Sequence, residues 1–162
     1  MGMKPLKIDE IDRTILCILQ KEGRLPNARL AERVGLSPPS VLERVRKLEE
    51  RGVIRGYMAQ VEEELLGMKA TVFVSVTLSF HNAEAIDNFQ QTIMEMPEVI
   101  EAHHVTGEDD YLLKVVLPDI GAYESFLLDK LTRIEGVNKV KSSFVLSKLK
   151  RGGMLPLQPD GC

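Results

Sequence analysis

The chain has 162 residues, 44% hydrophobic and 28% charged, with a formal net charge of −3. That composition is ordinary for a globular protein and leaves room for one domain or two small ones. No apolar run approaches the about 20 residues that span a bilayer, and the N-terminus lacks the apolar core of a signal peptide, so a membrane partner is not expected and a cytoplasmic location is. The two cysteines, Cys17 and Cys162, are too few for a disulfide framework or a metal site; Cys17 is read as a small packing or semi-exposed residue.

Taken in chain order, Ile8 to Glu22 reads as a helix, with Ile8, Ile11, Ile15, Ile18 and Leu19 on one side. Leu30, Ala31 and Val34 mark one face of a second, short helix that opens near Asn27, and Gly35 follows as a C-cap able to take a positive φ. Ser37 is a good N-cap for a third helix, with Pro38 at its first position, where the missing N–H costs nothing. Val41, Val45 and Leu48 form the apolar stripe of that helix. Ser40, Arg44, Lys47 and Arg51 lie on another face, with Arg46 beside it. Two short helices around a tight turn, the second basic where exposed, are the layout of a helix-turn-helix that enters the DNA major groove. Gly52 ends the third helix, and Val53 to Ala59 reads as a short strand or hairpin, the wing of a winged helix.

Residues 60–70 read as a connection, with an acid run and Gly67. Beyond them lies an internal repeat. Thr71–Ser79 is β-branched and alternating, hence a strand. Ala83–Met96 is a helix ended by Pro97, and Val99–Thr106 a strand. Tyr111–Leu117 is again a strand, Ile120–Ile134 a helix broken by Gly136, and Val137–Leu146 a strand. The order βαββαβ is the ferredoxin-like arrangement, with two helices on one face of a four-stranded antiparallel sheet. The other face would be left wet in a monomer, so a second subunit is expected to cover it. The fold class is therefore α+β. The domains are 1–59 for the winged helix-turn-helix, 60–70 for the linker, 71–150 for the ferredoxin-like domain and 151–162 for a Gly/Pro-rich flexible tail.

Charge follows the same division. Residues 1–60 hold 12 Lys/Arg and 8 Asp/Glu, a net +4, whereas residues 61–162 hold 9 and 16, a net −7. A basic N-terminal domain suits phosphate contacts; the acidic half carries something else. On the third helix, Arg44, Arg46 and Lys47 would supply phosphate or guanine contacts. Ser37 and Ser40 would make shorter ones near its N-terminus, Arg55 would touch the backbone from the wing, and Asn27 joins this set. Between the central strands of the second domain runs Thr106-Gly107-Glu108-Asp109-Asp110-Tyr111. It reads either as a solvated hairpin tip or as a site where Gly107 exposes backbone N–H groups and a carboxylate receives the ammonium of a small zwitterion. His103 and His104 are neighbours on a strand and point to opposite faces, which argues against joint chelation. No Ser/His/Asp set, Cys–His pair, phosphate-binding loop or metal-ligand spacing is visible, so no catalytic residue and no metal is assigned.

Several of these segments together resemble the Lrp/AsnC, or feast/famine, family of transcription regulators: Asp9-Glu10-Ile11-Asp12-Arg13-Thr14-Ile15-Leu16, Val34-Gly35-Leu36-Ser37-Pro38, Leu42 to Glu49, Gly52-Val53-Ile54-Arg55-Gly56-Tyr57, and Gly107 to Leu113. The resemblance runs from Ile8 to about Lys150. It implies a DNA-binding N-terminal domain and a C-terminal domain that assembles dimers into tetramers, octamers or larger. It also implies an amino-acid effector, leucine or another, bound where dimers meet. Gly107–Asp110 matches the family's Gly-Asp-x-Asp turn, with Glu108 in place of the first Asp and Asp110 as the second. Ile120 and Phe144, Val145 and Leu146 match positions tied to effector response. The expected function is a sequence-specific, nucleoid-associated regulator modulated by an amino acid and carrying no cofactor. The alternatives are an architectural DNA binder, or an amino-acid sensor without a DNA switch.

Overall fold

The computed structural model describes residues 8–80 and 82–157, so His81 and residues 158–162 lie outside the description, as do residues 1–7. Contacts divide the chain into two compact units, residues 61–149 forming one and the N-terminal residues to Gln60, joined by the segment from Lys150 onward, the other.

The first unit contains three helices, α1 (Glu10–Lys21), α2 (Asn27–Val34) and α3 (Pro38–Glu50). Asp9 caps α1 by accepting the Asp12 N–H at 2.8 Å. α2 ends at Gly35, whose φ of +68° is left-handed, a conformation that only glycine takes without strain. Leu36 then packs on the core, and Ser37 caps α3 with Pro38 in its first turn. Ile15, Leu16, Leu30, Ala31, Val41, Val45 and Leu48 form the shared core. The expected strand at Val53–Ala59 does not form: residues 53 and 54 bend, and 55–60 carry no ladder. The backbone N–H groups of Val53 and Ile54 both donate to the Leu48 carbonyl, so this stretch finishes the C-terminus of α3 and pairs with no strand among the described residues. Its anchor is Tyr57, whose hydroxyl donates to Glu49 Oε1 at 2.9 Å. Partial burial and the neighbouring carboxylate push that phenol up to about 12.

Residues 151–157 make specific contacts with α1. Gln20 and the Leu155 backbone exchange two hydrogen bonds, Arg13 donates to the Leu157 carbonyl, and Leu157 packs against the core. Cys17 is buried on α1, in keeping with a packing residue.

The second unit holds β1 (Ala70–Leu78), α4 (Ala83–Met94), β2 (Val99–His104), β3 (Tyr111–Leu117), α5 (Ile120–Asp129) and β4 (Val137–Phe144). The sheet order is β2-β3-β1-β4, antiparallel throughout, which is the ferredoxin-like order. α5 ends earlier than its sequence pattern suggests, and a 3-10 turn at Leu131–Arg133 carries Leu131 into the core. Val72, Val74 and Val76 of β1 and Tyr111, Leu113 and Val115 of β3 face inward, beneath Phe89 and Ile93 of α4 and Tyr123 and Phe126 of α5. No helix among the described residues is long and apolar enough to cross a membrane.

Each unit has its own core, so each should fail separately. Leu30→Ala and Leu113→Ala both empty fully buried sites and should each cost ~2–5 kcal/mol. Residue-resolved hydrogen exchange checks this: Leu30→Ala should loosen the amides of α1–α3 while those of β1 and β3 keep their protection.

Candidate functional site

Two places in the molecule gather the residues singled out in the sequence. The first is α3 with its approaches. Ser37 and Ser40 are exposed at its N-terminus, their hydroxyls 2.9 Å apart. Asn27 opens α2 and is half-buried, while Arg55 is exposed after the bend that follows α3. Arg46 and Lys47 are exposed and each meets one acid a turn away on the same helix, Glu50 at 2.8 Å and Glu43 at 3.2 Å. Pairs of this kind at exposed i,i+4 positions are worth only about 0.3–0.5 kcal/mol, so both cations can exchange partners at little cost.

Arg44 is different. Its Nη1 donates at 2.7 Å to Asp9 Oδ2 and at 2.7 Å to Asp12 Oδ1, and its side chain is 31% exposed. The backbone N–H of Asp12 and the Arg44 guanidinium hold the Asp9 carboxyl below the usual range, and the two acids in turn raise Arg44. Nothing in the local sequence spacing announces this contact, because its partners lie 35 and 32 positions away.

The second place is the turn between β2 and β3. Gly107 has φ +131°, which again favours glycine. The three acids that follow have three different environments. Glu108 is 90% exposed, with Lys141 at 3.9 Å. Asp109 is mostly covered, receives the Lys141 ammonium at 2.8 Å, and accepts from the Thr77 hydroxyl at 3.3 Å. The lysine hydrogen bond, with help from Thr77 and Ser75, lowers the Asp109 carboxyl, while the Lys141 ammonium is raised. Asp110 accepts the Leu78 backbone N–H at 2.8 Å, where the β1–β4 register shifts, and its own N–H donates to the Val76 carbonyl. Asp110 thus closes the irregular end of β1. Lys141 escaped the sequence reading; its only sequence signal is the alternation of Lys139 and Lys141 on β4, which sets both on one face.

The remaining predicted residues stand at the other end of the sheet. Phe144 pairs with Val72 and meets Tyr123 edge-on, ring centroids 5.1 Å apart. The Val145 N–H donates to the Thr71 carbonyl, Leu146 is almost wholly exposed, and Ile120 opens α5 with 69% exposure. Along β1, position 72 beside Phe144 and position 78 beside Asp110 are about 20 Å apart at ~3.4 Å per residue. The turn therefore does not meet the Ile120/Phe144–Leu146 group within one chain. His103 and His104 point to opposite faces, His103 toward Glu101 and His104 stacked on Tyr111 at 4.9 Å. Among the described residues, no cluster of His, Cys, Asp and Glu could hold a metal ion.

Known proteins resemble the chain over both units. A family model described as winged helix-turn-helix DNA-binding matches residues 8–55, and one described as Lrp/AsnC ligand binding domain matches residues 71–155. The leucine-responsive regulatory protein of Escherichia coli strain K12 is 40% identical over 151 residues, covering 93% of this chain and 92% of that protein. An AsnC family transcriptional regulator from Agrobacterium tumefaciens shares the fold with a TM-score of 0.86 at 41% identity, covering 92% of this chain and 97% of that one. A transcriptional regulator from Neisseria meningitidis, solved as an L-Met complex, gives 0.88 at 38% identity, covering 93% and 97%.

The β2–β3 turn supports a direct titration test. Because its pKa is lowered on folding, Asp109 contributes stability above the ordinary carboxylate range, and that contribution is lost as pH falls through the folded value. Lys141→Met should let the Asp109 carboxyl titrate at higher pH, read from its carboxyl NMR signal. An unmoved signal would refute the pairing.

Proposed function

The chain belongs to the Lrp/AsnC family of transcriptional regulators, and on that premise we propose that it binds specific DNA as a homodimer or larger assembly whose affinity an amino acid adjusts. The DNA-binding helix-turn-helix unit comes first in the chain and the ligand-binding unit second. The observation that carries the DNA half is the exposed end and outer face of α3. Ser37, Ser40, Arg46 and Lys47 lie there, and the cations hold only loose partners that phosphates can displace. Asn27 and Arg55 would add backbone contacts from either side. A dimer would present two such helices to successive major grooves about 34 Å apart, or a multiple of that spacing. The place of action would be the nucleoid, in the cytoplasm.

Assembly is supported by the sheet. Its outer face carries Phe73, Leu112 and Val116, with Phe73 38% exposed, and among the described residues of this unit both helices pack on the opposite face. A second copy would cover this face. The effector half is supported by the separation along β1. A ligand that engages both Gly107–Asp110 and Ile120/Phe144–Leu146 would need those groups from different copies. Glu108, the exposed and loosely held acid, is the residue offered to a ligand ammonium, while Asp109 and Asp110 hold the turn in shape. Leucine and methionine are the first effectors to try, since one relative is named for leucine and a structural neighbour was solved with L-Met.

The test is fluorescence anisotropy with the duplex upstream of the protein's own gene and a scrambled duplex, at near-physiological salt, with and without a panel of amino acids. Selective binding that an amino acid shifts is the expected outcome. Equal, weak, salt-sensitive binding to both duplexes would replace the regulator with an architectural DNA binder. Neutralising Arg46 and Lys47 together should flatten the slope of log K against log salt by about 4 in a dimer with both helices on DNA, at ~0.9 per phosphate released. An unchanged slope would remove both residues from the interface.

A further inference from the structure

Arg44 lies on the helix proposed to enter the groove, and its charge alone would recommend it as a phosphate ligand. Its surroundings say otherwise. One guanidinium nitrogen is shared by two carboxylates at 2.7 Å each, so the local charge of the trio is −1. Both acids belong to the start of α1: Asp9 is its N-cap, with one oxygen on the Asp12 N–H and the other on Arg44, and Asp12 stands in the first turn with its side chain 17% exposed. A phosphate approaching Arg44 would meet two acids at hydrogen-bond distance from its donor. It would also have to break charge-assisted bonds that are partly screened from water. Arg46 and Lys47 carry no such cost. Arg44 also flanks the buried stripe of Val41, Val45 and Leu48, the side of α3 turned toward the core.

We propose that Arg44 is a positioning residue, which fixes the pitch of α3 against the N-terminus of α1 through Asp9 and Asp12, and does not itself contact DNA. The proposal rests on the DNA-binding reading of α3. It assigns Asp9 and Asp12, two acids on a helix that need not touch DNA, a role in DNA affinity: removing either should loosen the angle at which Ser40, Arg46 and Lys47 are presented.

The experiment measures binding of the full chain to the duplex upstream of its own gene over a salt series, for the wild type, Arg44→Met, Asp12→Asn and Asp9→Asn. All are held well below their melting temperatures, with folding checked by circular dichroism. Positioning predicts that the Arg44 and Asp12 variants both bind more weakly, by about tenfold, with the salt slope unchanged. A phosphate contact predicts the opposite pattern: Arg44→Met lowers the slope by about 2 in a dimer, one contact per helix, and Asp12→Asn binds more tightly because it releases the arginine and removes a repelling charge. That result overturns the proposal. So does a lowered melting temperature with unchanged affinity of the folded protein, which would make the trio a stability element only. Asp12→Asn keeps the side-chain shape, so it reports even if Arg44→Met fails to fold. Failure of the wild type to bind any duplex would instead refute the DNA-binding reading itself.

Discussion

Side-chain alternation along β1 and β3 is the constraint from which most of the second unit follows. Residues 72, 74 and 76 must go one way and 71, 73 and 75 the other, because a strand has a period of two. The inward set is all valine and meets α4 and α5. Both helices lie over that one face, so Phe73, Leu112 and Val116 are left to water or to a partner. Their mixture with Thr, Lys and Glu on the same face is what a surface needs if it is to fold alone and then associate. The Lys114–Glu101 pair at 2.8 Å lies at its border, where charge can favour one register of approach over another.

The helix-turn-helix obeys a different economy. Its core is small, and much of its definition comes from caps: Asp9 on α1, Gly35 after α2, Ser37 on α3. Cations on or near α3 then divide by how firmly they are held. Arg33 sits off that helix against Glu22 in a two-bond fork, Arg44 is fixed between two acids, and Arg46 and Lys47 hold single solvated partners. Counting basic residues gives the sign of the unit's field, but partner geometry sorts those that support the fold from those that are offered to a ligand.

That sorting explains what the sequence could and could not disclose. Gly35, Ser37 and Pro38 state the turn locally, because each has a conformational reason to stand where it does. Tyr111–Leu117 coincides with its strand because alternation is a local signal too. Arg44 with Asp9 and Asp12, and Lys141 with Asp109, are joined across more than 30 residues, and only the tertiary fold creates them. Val53–Ala59 has strand-like residues but no ladder partner among the described residues, and Tyr57 ties it to Glu49 instead. The helix from Ile120 stops at Asp129, where the chain tightens to bury Leu131; the apolar pattern continues past that point and so overstates the helix.

The two ends of the sheet also constrain how a regulator of this design can respond. A ligand changes an equilibrium only through unequal affinity for its two states. If the turn at Gly107–Asp110 and the group at Ile120 and Phe144–Leu146 contribute to one site, that site exists only where two copies meet, because one chain holds them about 20 Å apart. Effector affinity is then tied to assembly, and by reciprocity the effector alters assembly by the same factor. No deformation needs to travel through the valine core of the sheet. The shape of the turn is held by Asp109 and Asp110 through bonds to β1 and β4, which leaves Glu108 to lose its hydration when a partner closes over it. An exposed carboxylate with a lysine at 3.9 Å is a weak partner in water and a stronger one once water is excluded. The same contact that assembles the copies would therefore sharpen the charge that a zwitterion meets.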